Sequence, residues 1–279
     1  MKIIRILYIQ IILIGVLSFQ SCSVVENVNL FSDKDDVALG QELDKEIKSN
    51  PKEYPIYTKN PAIKTYIANN IVSDILKSPS IKKRDIYAYT LEIIENDSVL
   101  NAFCAPGGYI YVYTGLLKYL DSESALAGVL AHEIGHAEHR HATERMTKAY
   151  GAEFLLSLVL GENPSQVSVI AANLFTGLGF LANSRADEDE SDESAINYLL
   201  NTKFYPGGVK FFFEKMRDDG LISGGGKVAT FLSTHPDPLA RIKSAEDRLR
   251  ALNIPIKDYK SNDPDMRKSE YRDNIKSKL

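Results

Sequence analysis

The sequence predicts an α+β fold, a mostly helical body that carries one small β-sheet. Three observations predict it. Stretches rich in Tyr, Thr, Ile and Val at 86–94, 99–105 and 109–113 read as strands, separated by the turns Asn96-Asp97-Ser98 and Pro106-Gly107-Gly108. From residue 121 onward, apolar residues recur at three- and four-residue steps, the spacing of helices with one buried face. The chain is 44% hydrophobic and 25% charged over 279 residues, which suits a globular protein with a sizeable core and excludes a disordered or multi-span membrane protein.

The amino end is expected to lie outside that body. Lys2 and Arg5 precede an apolar run from Ile6 to Phe19, broken by Gln10, with no acidic residue before Cys22. The run is short for a membrane span and suits a signal segment. Its end, Phe19-Gln20-Ser21-Cys22, resembles a bacterial lipoprotein signal. The expected organisation is a signal peptide over 1–21, lipidation of Cys22, a polar tether over 22–36, one domain over 37–255 and a loose polar tail over 256–279. Membrane contact would then come through the lipid anchor. Lipidation of Cys22 leaves Cys104 alone, so no intrachain disulfide supports the fold. A balance of 33 basic and 37 acidic residues, net charge −4, argues against a nucleic-acid partner.

Within the domain, 37–47 and 62–76 read as amphipathic helices separated by Pro51, Pro55 and Pro61. The three strands follow. Asp121 or Ser122 can cap a helix that runs through Ala125 to about Arg145. The apolar stretches 153–160 and 167–182, separated by Pro164, are each too short to span a membrane and read as buried or site-covering helices. Further helices are expected near 184–201, 206–219 and 238–252, the last opening on Pro238.

The chemistry concentrates in Ala131-His132-Glu133-Ile134-Gly135-His136. Residues four apart on a helix lie one turn apart on one face, so His132 and His136 can grip one metal ion. Glu133 beside them can take a proton from water at that ion. This is the H-E-x-x-H arrangement of zinc peptidases. A catalytic zinc needs a third protein ligand. His139 lies near the same face, but three ligands from one straight helix converge poorly, and His139 and His141 read instead as solvated groups or supports of a ligand. The other source is the acidic run 187–193, six acids in seven residues. Helical spacing puts Glu188 and Asp192 on one face, one to ligate and one to orient a ligand histidine, but spacing alone leaves Glu188 and Glu190 both open.

Four stretches, taken in order, resemble family forty-eight of the metallopeptidases, gluzincins that include CAAX-prenyl endopeptidases, a mitochondrial inner-membrane protease and bacterial periplasmic members. They are Asn101-Ala102-Phe103 with Pro106 to Val112 and Thr114-Gly115-Leu116; Leu126 to His136; Ser184-Arg185 with Glu188, Glu190, Ser191 and Asp192; and Ser233-Thr234-His235-Pro236 with Arg241-Ile242. The resemblance implies a mostly helical zincin-like body whose sheet edge borders the zinc cleft. It implies one zinc per chain held by His132, His136 and Glu188, with Glu133 as the catalytic base. Asp192 would then partner a ligand histidine and Arg241 support the site. His235 would stabilise the oxyanion or occupy the open zinc position at rest. Asn101, Ala102, Phe103, Cys104 and Ala105 would form the edge strand that receives substrate. Two residues depart from the family pattern: Ser191 replaces Ala, and Cys104 replaces an aliphatic or small residue, a packing thiol or a redox-sensitive one. The activity implied is endopeptidase action on unfolded or misassembled polypeptides in the bacterial cell envelope, facing the periplasm. The rival readings are a lipid-anchored chaperone or scaffold with a structural or idle zinc site, and an integral membrane protease using the 153–182 stretches.

Overall fold

The computed structural model describes residues 31–176, 183–222 and 226–279. The expected signal peptide and Cys22 lie outside the described residues. The first helix, α1 (Asp33–Ser49), starts four residues before its apolar periodicity does, because Ser32 and Asp35 close a capping box at its amino end. The expected tether is therefore corrected over 31–36. Phe31 and Asp36 are buried, and Asp36 accepts hydrogen bonds from Tyr87 Oη (2.6 Å), Thr143 Oγ1 (2.7 Å) and Arg140 Nε (2.6 Å). One acid thus joins three segments far apart in the chain.

Helix α2 (Pro61–Ile67) continues through a π-helical turn, Ala68–Val72, into Ser73–Ile75. The sheet has the order β1 (Thr90–Ile94), β3 (Tyr109–Tyr113), β2 (Ala102–Ala105), with β1 parallel and β2 antiparallel to the central β3. The first strand is shorter than its composition suggests, because Tyr89 stands at φ 40°, outside the extended range. The outer edge of β1 is covered by residues 55–57, through Tyr57 N to Ile93 O and Glu95 N to Pro55 O. Among the described residues no strand pairs with the outer edge of β2.

Helix α3 (Thr114–Tyr119) leads into α4 (Glu123–His139), whose cap is Ser122. Almost every residue of α4 is buried; it is the central rod of the body. It stops at Arg140, which takes a left-handed conformation (φ 63°) and turns the chain into α5 (His141–Tyr150). The expected single helix to Arg145 is thus two helices. Helices α6 (Ala152–Val159) and α7 (Pro164–Thr176) follow, bent 109° from each other; no single described helix is long and apolar enough to cross a membrane. Helices α8 (Arg185–Leu199), α9 (Val209–Asp218), α10 (Ala229–Thr234) and α11 (Pro238–Ala251) complete the wall around α4. Gly128 lets α4 approach the turn at Gly208, where an added Cβ would come within 2.2 Å of backbone.

The expected loose tail is also corrected. Helix α12 (Lys268–Asn274) docks on the body, with Met266, Tyr271 and Ile275 fully buried. Tyr271 Oη donates to Leu117 O (2.6 Å), and Arg267 Nε reaches Glu123 at the start of α4 (2.5 Å).

Candidate active site

The site is assembled on α4 by its neighbours. His132 and His136 project one turn apart, with Nε2 atoms 2.9 Å from each other. Helix α8 packs across them, and Gly135 allows its close approach at Ser191. The six acids of 187–193 divide by position on that helix. Asp187 caps it with Ser184. Asp189 and Glu193 meet Arg248 on the outer face. Glu188 and Asp192 point inward and are buried, whereas Glu190 turns toward His139 and His141. This geometry selects Glu188 over Glu190 as the group beside the histidine pair. Glu188 Oε1 lies 3.2 Å from His136 Nε2, and Oε2 lies 3.5 Å from His132 Nε2.

His235 enters from the end of α10, stacked on Phe231, with Nδ1 3.0 Å from Glu188 Oε1. His132, His136, Glu188 and His235 each offer a donor atom, all within 4.8 Å of one another. Ligands of a tetrahedral zinc bound at ~2.0–2.1 Å lie about 3.3 Å apart, and the spacings among His132, His136 and Glu188 bracket that value. Buried imidazoles plus a carboxylate are also the donor types that zinc takes. The residues present fit the ion.

The electrostatics point the same way. Burial opposes ionisation of Glu188, but Arg241, His235 and His132 overcome it and hold the carboxyl well below its usual range. Burial and Arg241 disfavour a charge on His132, yet Glu188 and Asp192 pull its pKa up to about 9. Burial, then His132, holds His136 well below its ordinary range, so the pair does not take up two protons. Asp192 Oδ1 stands 2.9 Å from His132 Nδ1 and is itself gripped by Arg241, Nε to Oδ2 at 2.8 Å and Nη2 to Oδ1 at 2.6 Å. The Arg241 guanidinium also contacts Glu188 and lies over the Phe213 ring.

Glu133 faces the cavity beside these donors, with His235 Nε2 3.7 Å away. Burial raises its pKa, partly offset by His235 and His132. The cavity is lined by Glu133, His136 and His235 together with Asn101, Phe103 and Cys104 of the β2 segment. The expected edge strand therefore borders the site. Cys104 is buried, and burial, then Glu133, pushes its thiol well above the ordinary range, which opposes thiolate chemistry.

Two residues here escaped the sequence reading. Asn183 Nδ2 lies 2.5 Å from Glu188 Oε1 and 3.2 Å from His136 Nε2. Arg145 lines the cavity one turn after His141. Neither carries a motif; the helix corner at Arg140 and the cap of α8 bring them in.

Fold and site together define the zinc metallopeptidase class. The chain belongs to peptidase family M48, whose family model matches residues 63–249. It is 37% identical over 153 residues, 54% of the chain, to the mitochondrial metalloendopeptidase OMA1 of Arabidopsis thaliana, and 32% over 160 residues, 57% of the chain, to OMA1 of Schizosaccharomyces pombe. It is 30% identical over 169 residues, 57% of the chain, to the beta-barrel assembly-enhancing protease of Escherichia coli K12. The matches cover 30%, 46% and 34% of those three proteins, so this chain corresponds to less than half of each.

Proposed function

We propose that this protein is a zinc-dependent endopeptidase that hydrolyses unfolded or misassembled polypeptides in the bacterial cell envelope, held to a membrane through a lipid on Cys22. One observation carries the reading: Glu133, buried and raised in pKa, lines one cavity with zinc-type donors and with residues of β2, a strand whose outer edge has no strand partner among the described residues. His132, His136 and Glu188 would hold the ion, Asp192 orients His132, and Arg241 fixes Asp192 and Glu188. Bound zinc supplies Lewis acidity at the scissile carbonyl and to water. Glu133 takes the proton of the attacking water and delivers it to the leaving nitrogen. His235 donates toward the oxyanion. An extended substrate adds beside residues 101–105, where backbone hydrogen bonds give affinity with little side-chain selectivity. That selects chains able to become extended and disfavours compact ones. The names of the E. coli and mitochondrial relatives support the reading, one denoting a protease of β-barrel assembly and the others metalloendopeptidases.

The test is hydrolysis of casein and of an unfolded barrel protein by the zinc-loaded chain. Cleavage should stop with a chelator and return with zinc. Failure to cut either substrate would favour a lipid-anchored scaffold with an idle site, a reading supported by His235 completing a four-donor set. Metal content of Glu188→Ala against the parent tests the ligand assignment. Fatty-acid labelling lost in Cys22→Ala tests the anchor.

A further inference from the structure

The two histidines of the α4 pair are supported differently. His132 Nδ1 has the usual partner of a metal-binding histidine, the Asp192 carboxylate at 2.9 Å. No described carboxylate reaches His136 Nδ1. Instead His141 Nδ1 lies 2.8 Å from it and Ser191 Oγ 3.0 Å from it. His141 is buried, and its far nitrogen, Nε2, lies 3.1 Å from Glu190 Oε2. The other oxygen of Glu190 meets His139 Nδ1 at 3.1 Å.

We propose that His141, fixed by Glu190, is the positioning residue for His136, standing where Asp192 stands for His132. The protons follow from the geometry. With Nε2 free for a cation, His136 carries its proton on Nδ1 and donates it to His141 Nδ1. His141 then carries its own proton on Nε2 and donates it to Glu190. The left-handed turn at Arg140 is what makes this possible, because it starts α5 at a new angle and swings His141 back behind His136. On an uninterrupted helix, residues five apart would sit about 140° apart around the axis. The acid that spacing left open as a rival zinc ligand thereby acquires a task of its own.

The inference rests on His136 being a zinc ligand, and the experiment separates the two claims. Zinc affinity is measured by chelator competition on the full chain, alongside urea unfolding of the metal-free protein and the visible spectrum of the cobalt-loaded one. His141→Leu should weaken zinc binding about 10- to 100-fold and change the cobalt spectrum. His141→Gln, which keeps an acceptor oxygen, should restore most of the affinity, an outcome that a packing role alone does not produce. Glu190→Ala, at an exposed carboxylate, should weaken zinc binding in the same direction and serves if the leucine variant does not fold. Ser191→Ala should stay within about twofold of the parent. Parent-like zinc affinity in both His141→Leu and Glu190→Ala would overturn the proposal, as would a loss confined to Ser191→Ala. Failure of the parent chain to bind zinc would instead overturn the reading of the site itself.

Discussion

Helix α4 carries three buried glutamates, and two of them, ten residues apart, are treated in opposite ways. Glu123, at the amino end, is fully enclosed, and both its oxygens are taken, by Tyr66 Oη and by Arg267 Nε, each at 2.5 Å. It also sits in the first turn, where the helix dipole favours a negative charge. Glu133, near the other end, has no hydrogen-bond donor among the described residues, and its nearest ionic neighbour is 3.7 Å away. The first acid is locked and holds the carboxy-terminal segment to the body. The second keeps its lone pairs uncommitted in a buried cavity, which is what a proton-transfer group requires. The difference teaches that burial alone does not mark function; buried acids with spare bonding capacity do.

The contrast can be broken most severely at Glu133. Glu133→Gln should lower peptide hydrolysis about 10²- to 10⁴-fold, with zinc stoichiometry and urea midpoint unchanged. Full proteolysis by that variant would refute the assigned base. The mirror experiment is Glu123→Ala, which should cost about 2–4 kcal/mol of stability in urea unfolding while leaving turnover per folded molecule intact. Arg267 is partly exposed and can recover water, which keeps the loss at the lower end. Gly128→Ala lies between the two acids and forces a methyl group against the backbone at Gly208. It should cost about 1–3 kcal/mol and, if α4 moves as one rod, lower kcat/KM as well; a drop in stability with kcat/KM unchanged would show that the two ends are mechanically independent. The smallest effect is a pH effect at Tyr66. Burial, then Glu123, raises its pKa to about 12 from the ordinary 10. Its contribution is therefore fully present below pH 10 and lost as pH rises through about 12. Parent urea midpoints should fall over that interval more than those of Tyr66→Phe.

Local chemistry made much of this legible in the sequence. The H-E-x-x-H turn, the Ser122 cap and the spacing of Glu188 and Asp192 depend on neighbours within one or two helical turns, and each stands where the sequence put it. His235 and Arg241 became legible only through resemblance to a family, since nothing near them in sequence points at His132. Other features rest on partners far along the chain. The break at Arg140 has no Gly or Pro to announce it; Asp36, more than a hundred positions earlier, holds that arginine in place. The docking of Met266, Tyr271 and Ile275 escaped notice because three scattered apolar residues in a polar segment show no periodicity until their sockets exist. Spacing left Glu188 and Glu190 both open and only the family resemblance pointed to Glu188; the orientation of α8 gives the physical reason, since Glu188 faces the histidine pair and Glu190 faces His139 and His141.

The grip of Arg140 on the first described turn has a consequence of its own. Its Nη2 donates to Ser32 O at 3.1 Å, and its Nε and Nη2 hold Asp36. The start of α1 is thus fastened to the corner between His139 and His141. Any load on residues 32–36 is therefore carried first to the joint where the histidine-bearing rod ends, a single bend of backbone from His136.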